Sequence, residues 1–298
     1  MKLIETILLI LAFSFWTTQS IGAVEPKADA ESPQEKVILK WLGTAGWEIQ
    51  TGKTIILIDP FLTRKDRSMG AEWETDEEAV LQVIRGADYI FAGHSHHDHI
   101  GDVPFIAKRF GSKIIGSRTT TNIALTAGVN KSQVITISGG EKLDFKDLSV
   151  QVIESRHGWR QGRPPRKENE EITRAWQGPI RGGDFVDGGS FLYYFTFGRQ
   201  RVLHQSTGNV IEEKLKGLRP DVVLMNSGHQ GYNLSSVLKT LNPKVIIVHH
   251  FDDWASPLSE GISEVNMKRA QRFARDVGAV DSQIKVIIPQ LLMTYTLE

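Results

Sequence analysis

Twelve residues, FAGHSHHDHIGD from Phe91 to Asp102, restrict this chain more than any other stretch. His94, His96, His97, Asp98 and His99 crowd directly behind a short apolar run, Tyr89 to Ala92, that reads as a buried strand stopping at Gly93. A lone histidine is usually an ordinary core or surface side chain. The remaining five lie at 157, 204, 229, 249 and 250, each at or just past the C-terminal end of another predicted strand. Strand ends along one sheet edge bring distant residues together, and binding sites favour such edges. If 94–99 runs extended, His94, His96 and Asp98 face one side and His97 and His99 the other. A tight turn then sets two ligand groups around two metal positions. Imidazole and carboxylate suit Zn²⁺, and equally Mn²⁺ or Fe²⁺. The chain has no cysteine, which excludes thiolate ligands, disulfides and a cysteine nucleophile.

The rest of the chain alternates strand and helix patterns. Lys2 followed by the apolar run Ile7–Trp16 predicts a signal peptide over 1–23, cut after Ala23, with an uncleaved anchor as the alternative. That predicts a secreted or periplasmic protein with no stable membrane insertion after cleavage. Residues 24–36 are a polar, proline-containing lead-in, and 37–298 form one domain. VILKWL, WEIQ and TIILID read as consecutive strands, followed by a helix capped at Thr75 or Asp76. Further helices are expected between His99 and Gly111, at Thr119–Gly128, and near 210–217, 234–241 and 263–277. KIIG, QVITI, LSVQVIE, SFLYYFTF, RVLHQ, DVVLMN, KVIIVHH and QIKVII supply the other strands. The pattern predicts an α/β fold, two mixed sheets face to face with helices on the outer faces, an αββα sandwich. Lys+Arg and Asp+Glu both number 35, so the formal charge is zero and no nucleic-acid partner is expected.

Residues 158–187 lack apolar periodicity and are rich in Gly and Pro, as a functional loop would be. Arg156, Arg160, Arg163, Arg166, Lys167, Arg174 and Arg181 outnumber the acids there, with Trp159 and Trp176 as an apolar wall. Arginine forks fit phosphate and carboxylate. Arg160, Arg163 and Trp159 are therefore read as contacts to an anionic small-molecule substrate, against the plainer reading of a solvated loop.

The motif HxHxDH resembles the signature of the metallo-β-lactamase superfamily. WLGTAGWEIQTGKTIILIDP, GGSFLYYFTFGRQRVLHQSTGN and IIVHHFDDW are similar to its ascorbate-6-phosphate lactonase-like and N-acylphosphatidylethanolamine phospholipase D-like branch, over about residues 37–254. The resemblance implies His94, His96 and His157 as ligands of a first metal, and Asp98, His99 and His250 of a second, with His249 the alternative to His250. It places Asp59 behind a ligand imidazole, which it orients, or else as a turn cap before Pro60. Asp102 reads as the cap of the following helix, with a place behind a metal ligand as the alternative. Where the family carries a metal-bridging aspartate, this chain has Ser206. Three readings stay open: a weak second site, a replacement ligand from His204 or Ser206 itself, or a binding protein that has lost catalysis. The implied reaction is attack by a metal-bound hydroxide on an ester or lactone, then on a phosphodiester, then on a β-lactam as in a secreted β-lactamase. Asp98 would orient that nucleophile, and His229 would contact substrate or transfer a proton.

Overall fold

The alternation of apolar residues decides the layers. In a strand, successive side chains point to opposite faces, and here both faces are buried. Ile56, Ile58, Phe91 and Ile115 point into the core between two sheets, whereas Leu57, Ile90 and Ile114 point outward under helices. The computed structural model describes residues 36–65, 68–158, 170–229 and 231–297. The expected leader, nearly all of the lead-in, and Trp159, Arg160, Arg163, Arg166 and Lys167 lie outside the described residues.

The first half runs β1 (Val37–Gly43), β2 (Gly46–Thr51), β3 (Thr54–Ile58), α1 (Glu77–Val83), β4 (Tyr89–Phe91), α2 (His97–Ile100), α3 (Val103–Phe110), β5 (Lys113–Gly116), α4 (Arg118–Thr126) and β6 (Val134–Thr136). The second half runs β7 (Lys142–Phe145), β8 (Leu148–Ser155), β9 (Ser190–Phe197), β10 (Gln200–Gln205), β11 (Val222–Asn226), α5 (Leu234–Leu241), β12 (Val245–His249), α6 (Glu264–Val280), β13 (Lys285–Ile287) and β14 (Thr294–Leu297). Two seven-stranded mixed sheets result, ordered β14-β1-β2-β3-β4-β5-β6 and β13-β12-β11-β10-β9-β8-β7. Each half starts as an antiparallel meander and ends in parallel strands, β3 to β6 in one and β10 to β13 in the other. Val80, Ile106 and Ile123 of α1, α3 and α4 cover the outer face of the first sheet. Leu238 and Leu241 of α5 and Ala270, Phe273 and Val277 of α6 join the core of the second. This is the αββα sandwich expected from the pattern.

Some local expectations change. The segment 94–99 is not extended throughout: His97–Ile100 closes one helical turn, with His96 at its N-cap. Asp102 occupies the N-cap position of α3 but makes no capping bond to it. Its buried carboxylate instead accepts the Leu62 N–H at 2.6 Å, the Thr63 N–H at 2.9 Å and the Thr63 hydroxyl. The donors of the loop after β3 outcompete the helix end, and Asp102 pins that loop. The helix expected near 210–217 shrinks to one 3-10 turn, Glu212–Leu215, and Gly217 at φ 86° ends the segment. Strands β7 and β14 were not anticipated, because KLDF and TYTL are short and only half apolar.

Candidate metal centre

Five strand ends converge: Asp59 follows β3, His94 follows β4 past Gly93, His157 follows β8, Ser206 follows β10, and His250 follows β12. Gly93 donates its N–H to Asp59 Oδ1 at 2.6 Å and accepts from the Phe191 N–H at 2.7 Å, which ties the motif to both sheets. Nothing larger than glycine fits there. A Cβ on residue 93 would lie 2.1 Å from Ser206 Oγ and 2.2 Å from Ser206 Cβ.

Two three-residue donor sets result. In the first, ligand atoms of His94, His96 and His157 lie within 4.8 Å of one another, and His94 Nε2 and His96 Nδ1 are 3.0 Å apart. His157 donates its Nδ1–H to Gly158 O at 2.9 Å, which leaves Nε2 with its lone pair. The second set holds Asp98, His99 and His250 within the same 4.8 Å limit. Asp98 Oδ2 is 3.5 Å from both His99 Nε2 and His250 Nε2. The rings of His94 and His99 have centroids 3.8 Å apart, so the two sets adjoin. Each set takes two residues from the first half of the chain and one from the second.

The donors are in the chemical form a cation needs. Burial, and then the neighbouring imidazoles, push His94 well below the usual histidine value, and burial followed by His99 pushes His157 down to about 4. Both rings are therefore neutral at neutral pH. Burial would raise the Asp98 carboxyl, but His99 and His250 beside it hold it well below the usual carboxylate range. Convergent imidazole nitrogens and the Asp98 carboxylate fit a divalent metal at each set, which at the second would displace the proton that Asp59 and Asp98 favour on His99. Three protein ligands apiece leave a coordination position open, as catalytic sites require.

Behind the candidate ligands, Asp59 lies against the His99 ring. Its Oδ2 accepts the His99 Nδ1–H at 2.9 Å, aiming Nε2 at the set, and accepts the Ser206 hydroxyl at 2.6 Å. For His99, burial lowers the pKa but Asp59 and Asp98 outweigh it and raise it. Ser206 sits 3.2 Å from His99 Nδ1 and 3.5 Å from His94 Nδ1. It is therefore on the side of the His99 ring opposite Nε2 and does not bridge the sets.

Three other expected residues are placed elsewhere. His249 accepts the Trp47 indole N–H on Nδ1 at 2.8 Å and donates Nε2–H to Gln205 O at 2.8 Å, so it has no nitrogen left for a metal. His204 donates Nε2–H to Ala45 O at 2.9 Å and joins neither set. It shares a strand with the site but points into the core between the sheets, where burial depresses its pKa. His229 is exposed, with ring contacts to Tyr232 and Phe273, and belongs to neither set. Its ring neighbours Tyr232 and Phe273, the latter on α6, belong to neither donor set. Trp176 packs into the cluster under the first sheet instead of walling the cavity.

Sequence reasoning counted Arg156 among the cations of this stretch but missed Arg118 and Asp187 beside His157. A cavity of about 620 Å³ is bounded by Arg118, Arg156, His157, Glu171 and Asp187 among others. Arg118 grips Glu171 through two bonds of 2.6 and 2.7 Å. Arg118 opens α4 with Ser117 as its cap, a signal that marks a helix start and says nothing of a cavity.

A family model for the beta-lactamase superfamily domain matches residues 38–250. A metal-dependent hydrolase of Methanopyrus kandleri is 24% identical over 258 residues, 84% of this chain and 95% of that protein. Among solved structures, the metallo hydrolase Igni18 of Ignicoccus hospitalis superposes with a TM-score of 0.60 at 18% identity, covering 88% of this chain and 99% of its own. The diiron β-hydroxylase CmlA of Streptomyces venezuelae gives 0.56 at 14% identity, over 90% of this chain and 55% of its own. With the paired donor sets at the strand ends of an αββα sandwich, these matches place the chain in the metallo-β-lactamase superfamily, as one of its metal-dependent hydrolases.

Proposed function

We propose that the enzyme hydrolyses an ester or lactone, and next in order a phosphodiester, of an anionic small molecule, with a metal ion at each donor set. The observation that carries this reading is the pair of adjoining sets, each with three residues able to ligate a metal. A divalent ion there supplies a Lewis acid and lowers the pKa of a bound water from ~15.7 to about 7. Zinc is the proposed metal. Manganese and iron suit the same donors, and the diiron neighbour favours iron as the alternative.

The residues then divide the work. His94 and His157 would hold an ion as neutral imidazoles, with His96, His99 and His250 completing the two sets, and Asp98 would add the carboxylate and orient the attacking group. Arg156 supports the anionic substrate. It lines the cavity beside His157, and among the described residues its guanidinium has no ion-pair partner. Of the other charged groups in the lining, Arg118 pairs with Glu171 and Glu154 with Lys214 at 3.4 Å, while Asp187 accepts the Ser190 hydroxyl at 2.8 Å and Glu170 lines the same cavity. The Arg156 fork is the group there that would bind an anionic substrate. The apolar run after Lys2 supports a signal peptide and a secreted or periplasmic location. Among the described residues no helix is long and apolar enough to cross a membrane.

The test is a hydrolysis screen over lactones, carboxylic esters, phosphodiesters, phospholipids and β-lactams, with His96→Ala as the blank. Turnover of an anionic ester that chelation abolishes and Zn²⁺ restores supports the proposal. Arg156→Gln should then raise KM for that ester with little change in kcat, and leave a neutral analogue unaffected. Exclusive β-lactam turnover, or equal effects of Arg156→Gln on charged and neutral esters, would overturn it.

A further inference from the structure

The second donor set depends on a residue in an unfavourable backbone state. His250 has φ 57°, the left-handed region, and so do Thr44 at 47°, Asp59 at 45° and Arg64 at 44°. Such a conformation costs a non-glycine residue about 1–2 kcal/mol, and it persists only where the surroundings enforce it. Four of the six left-handed non-glycine residues are gathered around one corner of the site.

The enforcement is visible bond by bond. The His250 N–H donates to Thr44 O at 2.9 Å, and the His250 carbonyl accepts the Ser227 hydroxyl at 3.2 Å. The Thr44 N–H in turn donates to both carboxylate oxygens of Asp252, at 2.9 and 3.0 Å. Arg64 closes the circuit: Nη2 donates to Asp252 Oδ2 at 2.8 Å and to Asp253 O, and Nε donates to Ser256 O at 2.6 Å. The side chains of Arg64 and Asp252 are only 2% and 0% exposed. Gly43 makes room for the guanidinium, since a Cβ there would lie 2.5 Å from Arg64 Nη1.

A buried ion pair is weak support for stability, because desolvating two charges offsets their attraction. Its worth here lies in what it holds. We propose that Arg64 is a positioning residue, which through Asp252 and Thr44 locks the left-handed turn that presents His250 to Asp98 and His99. The inference rests on the metal reading of the two donor sets. The bonds of Arg64 go to Asp252, Asp253 and Ser256 and reach the second set through Thr44 and His250, so that set is where its removal is expected to act.

The experiment is calorimetric titration of chelator-stripped full-length protein with Zn²⁺, paired with thermal melting. Wild type is expected to take two equivalents. Arg64→Met should weaken the second about 10- to 100-fold, the range usual for partners that orient a ligand, and leave the first unchanged. The single variant strands the Asp252 charge and can unfold for that reason alone, so Arg64→Met/Asp252→Asn is the companion. The double variant should recover melting temperature while its second equivalent stays weak. Recovery of both quantities together, or equal weakening of both equivalents, would overturn the proposal. A wild type that binds no second ion would overturn the metal reading first, and this inference with it.

Discussion

Gly93→Ala tests how tightly the ligand shell is packed. The added methyl would meet Ser206 Oγ at 2.1 Å, Ser206 Cβ at 2.2 Å and Asp59 Oδ2 at 2.9 Å. Rotating the serine moves its Oγ but not its Cβ. Carbon atoms rest about 3.5–4.0 Å apart, so the backbone of Ser206 must retreat by more than about 1 Å. It is not free to do so, because its carbonyl accepts from Asn226 Nδ2 at 3.1 Å and the adjacent Gln205 carbonyl is held by His249. Overpacking of one methyl costs about 1–3 kcal/mol, and losing the serine–carboxylate bond adds about 1.5–3 kcal/mol. The expected sum is about 3–5 kcal/mol, read by urea unfolding of metal-free protein. Because Asp59 also orients His99, the second Zn²⁺ equivalent should weaken about 10- to 100-fold. Gly93→Ala/Ser206→Gly removes the two serine collisions but neither the 2.9 Å contact with Asp59 Oδ2 nor the missing bond, so it should regain about 1–3 kcal/mol. A single variant within about 0.5 kcal/mol of wild type, the range of a neutral surface change, would refute the packing argument.

Three more outcomes are expected. His249→Leu strands the Trp47 N–H and the Gln205 carbonyl and should cost about 2–4 kcal/mol with both metal equivalents retained, whereas His250→Ala should lose the second equivalent at little cost in stability; the opposite pattern in a titration would reverse the two assignments. For His157 the folded value of about 4 lies below the unfolded 6.5. The unfolded chain therefore binds a proton that the native one refuses, and metal-free stability should fall by about 3 kcal/mol as pH drops from 6.5 to 4. His157→Gln should lack that part of the pH slope in parallel urea melts. Chelation of wild type should lower stability by about 4 kcal/mol relative to a solution with free Zn²⁺ a thousandfold above Kd, measured by unfolding at fixed protein concentration.

Much of this was readable from residues alone, for a physical reason. Strand alternation and dense histidines are local signals, so the sandwich and a metal role for the 94–99 cluster could be anticipated, whereas His157, His250 and Asp59 came from the family resemblance. The choice between His249 and His250 could not be made from spacing alone, because it turns on the Trp47 indole, brought from another sheet. Asp102 carries a capping pattern, yet distant loop donors claim its carboxylate. The left-handed states of Thr44, Arg64 and His250 have no sequence signature, since none of them is glycine or asparagine. Ser206 is the converse case. Its departure from the family pattern is plain in the sequence, but its place behind the His99 ring is a matter of geometry.

Each donor set draws two ligands from the first half of the chain and one, His157 or His250, from the second. A bound ion is therefore a cross-link between the two sheets. In a chain with no cysteine it performs the task that disulfides perform elsewhere. The halves could not part without breaking both ligand sets, so a bound ion would oppose opening of the sandwich, while exchange through the half-buried His96, His157 and His250 would leave the folded sandwich intact.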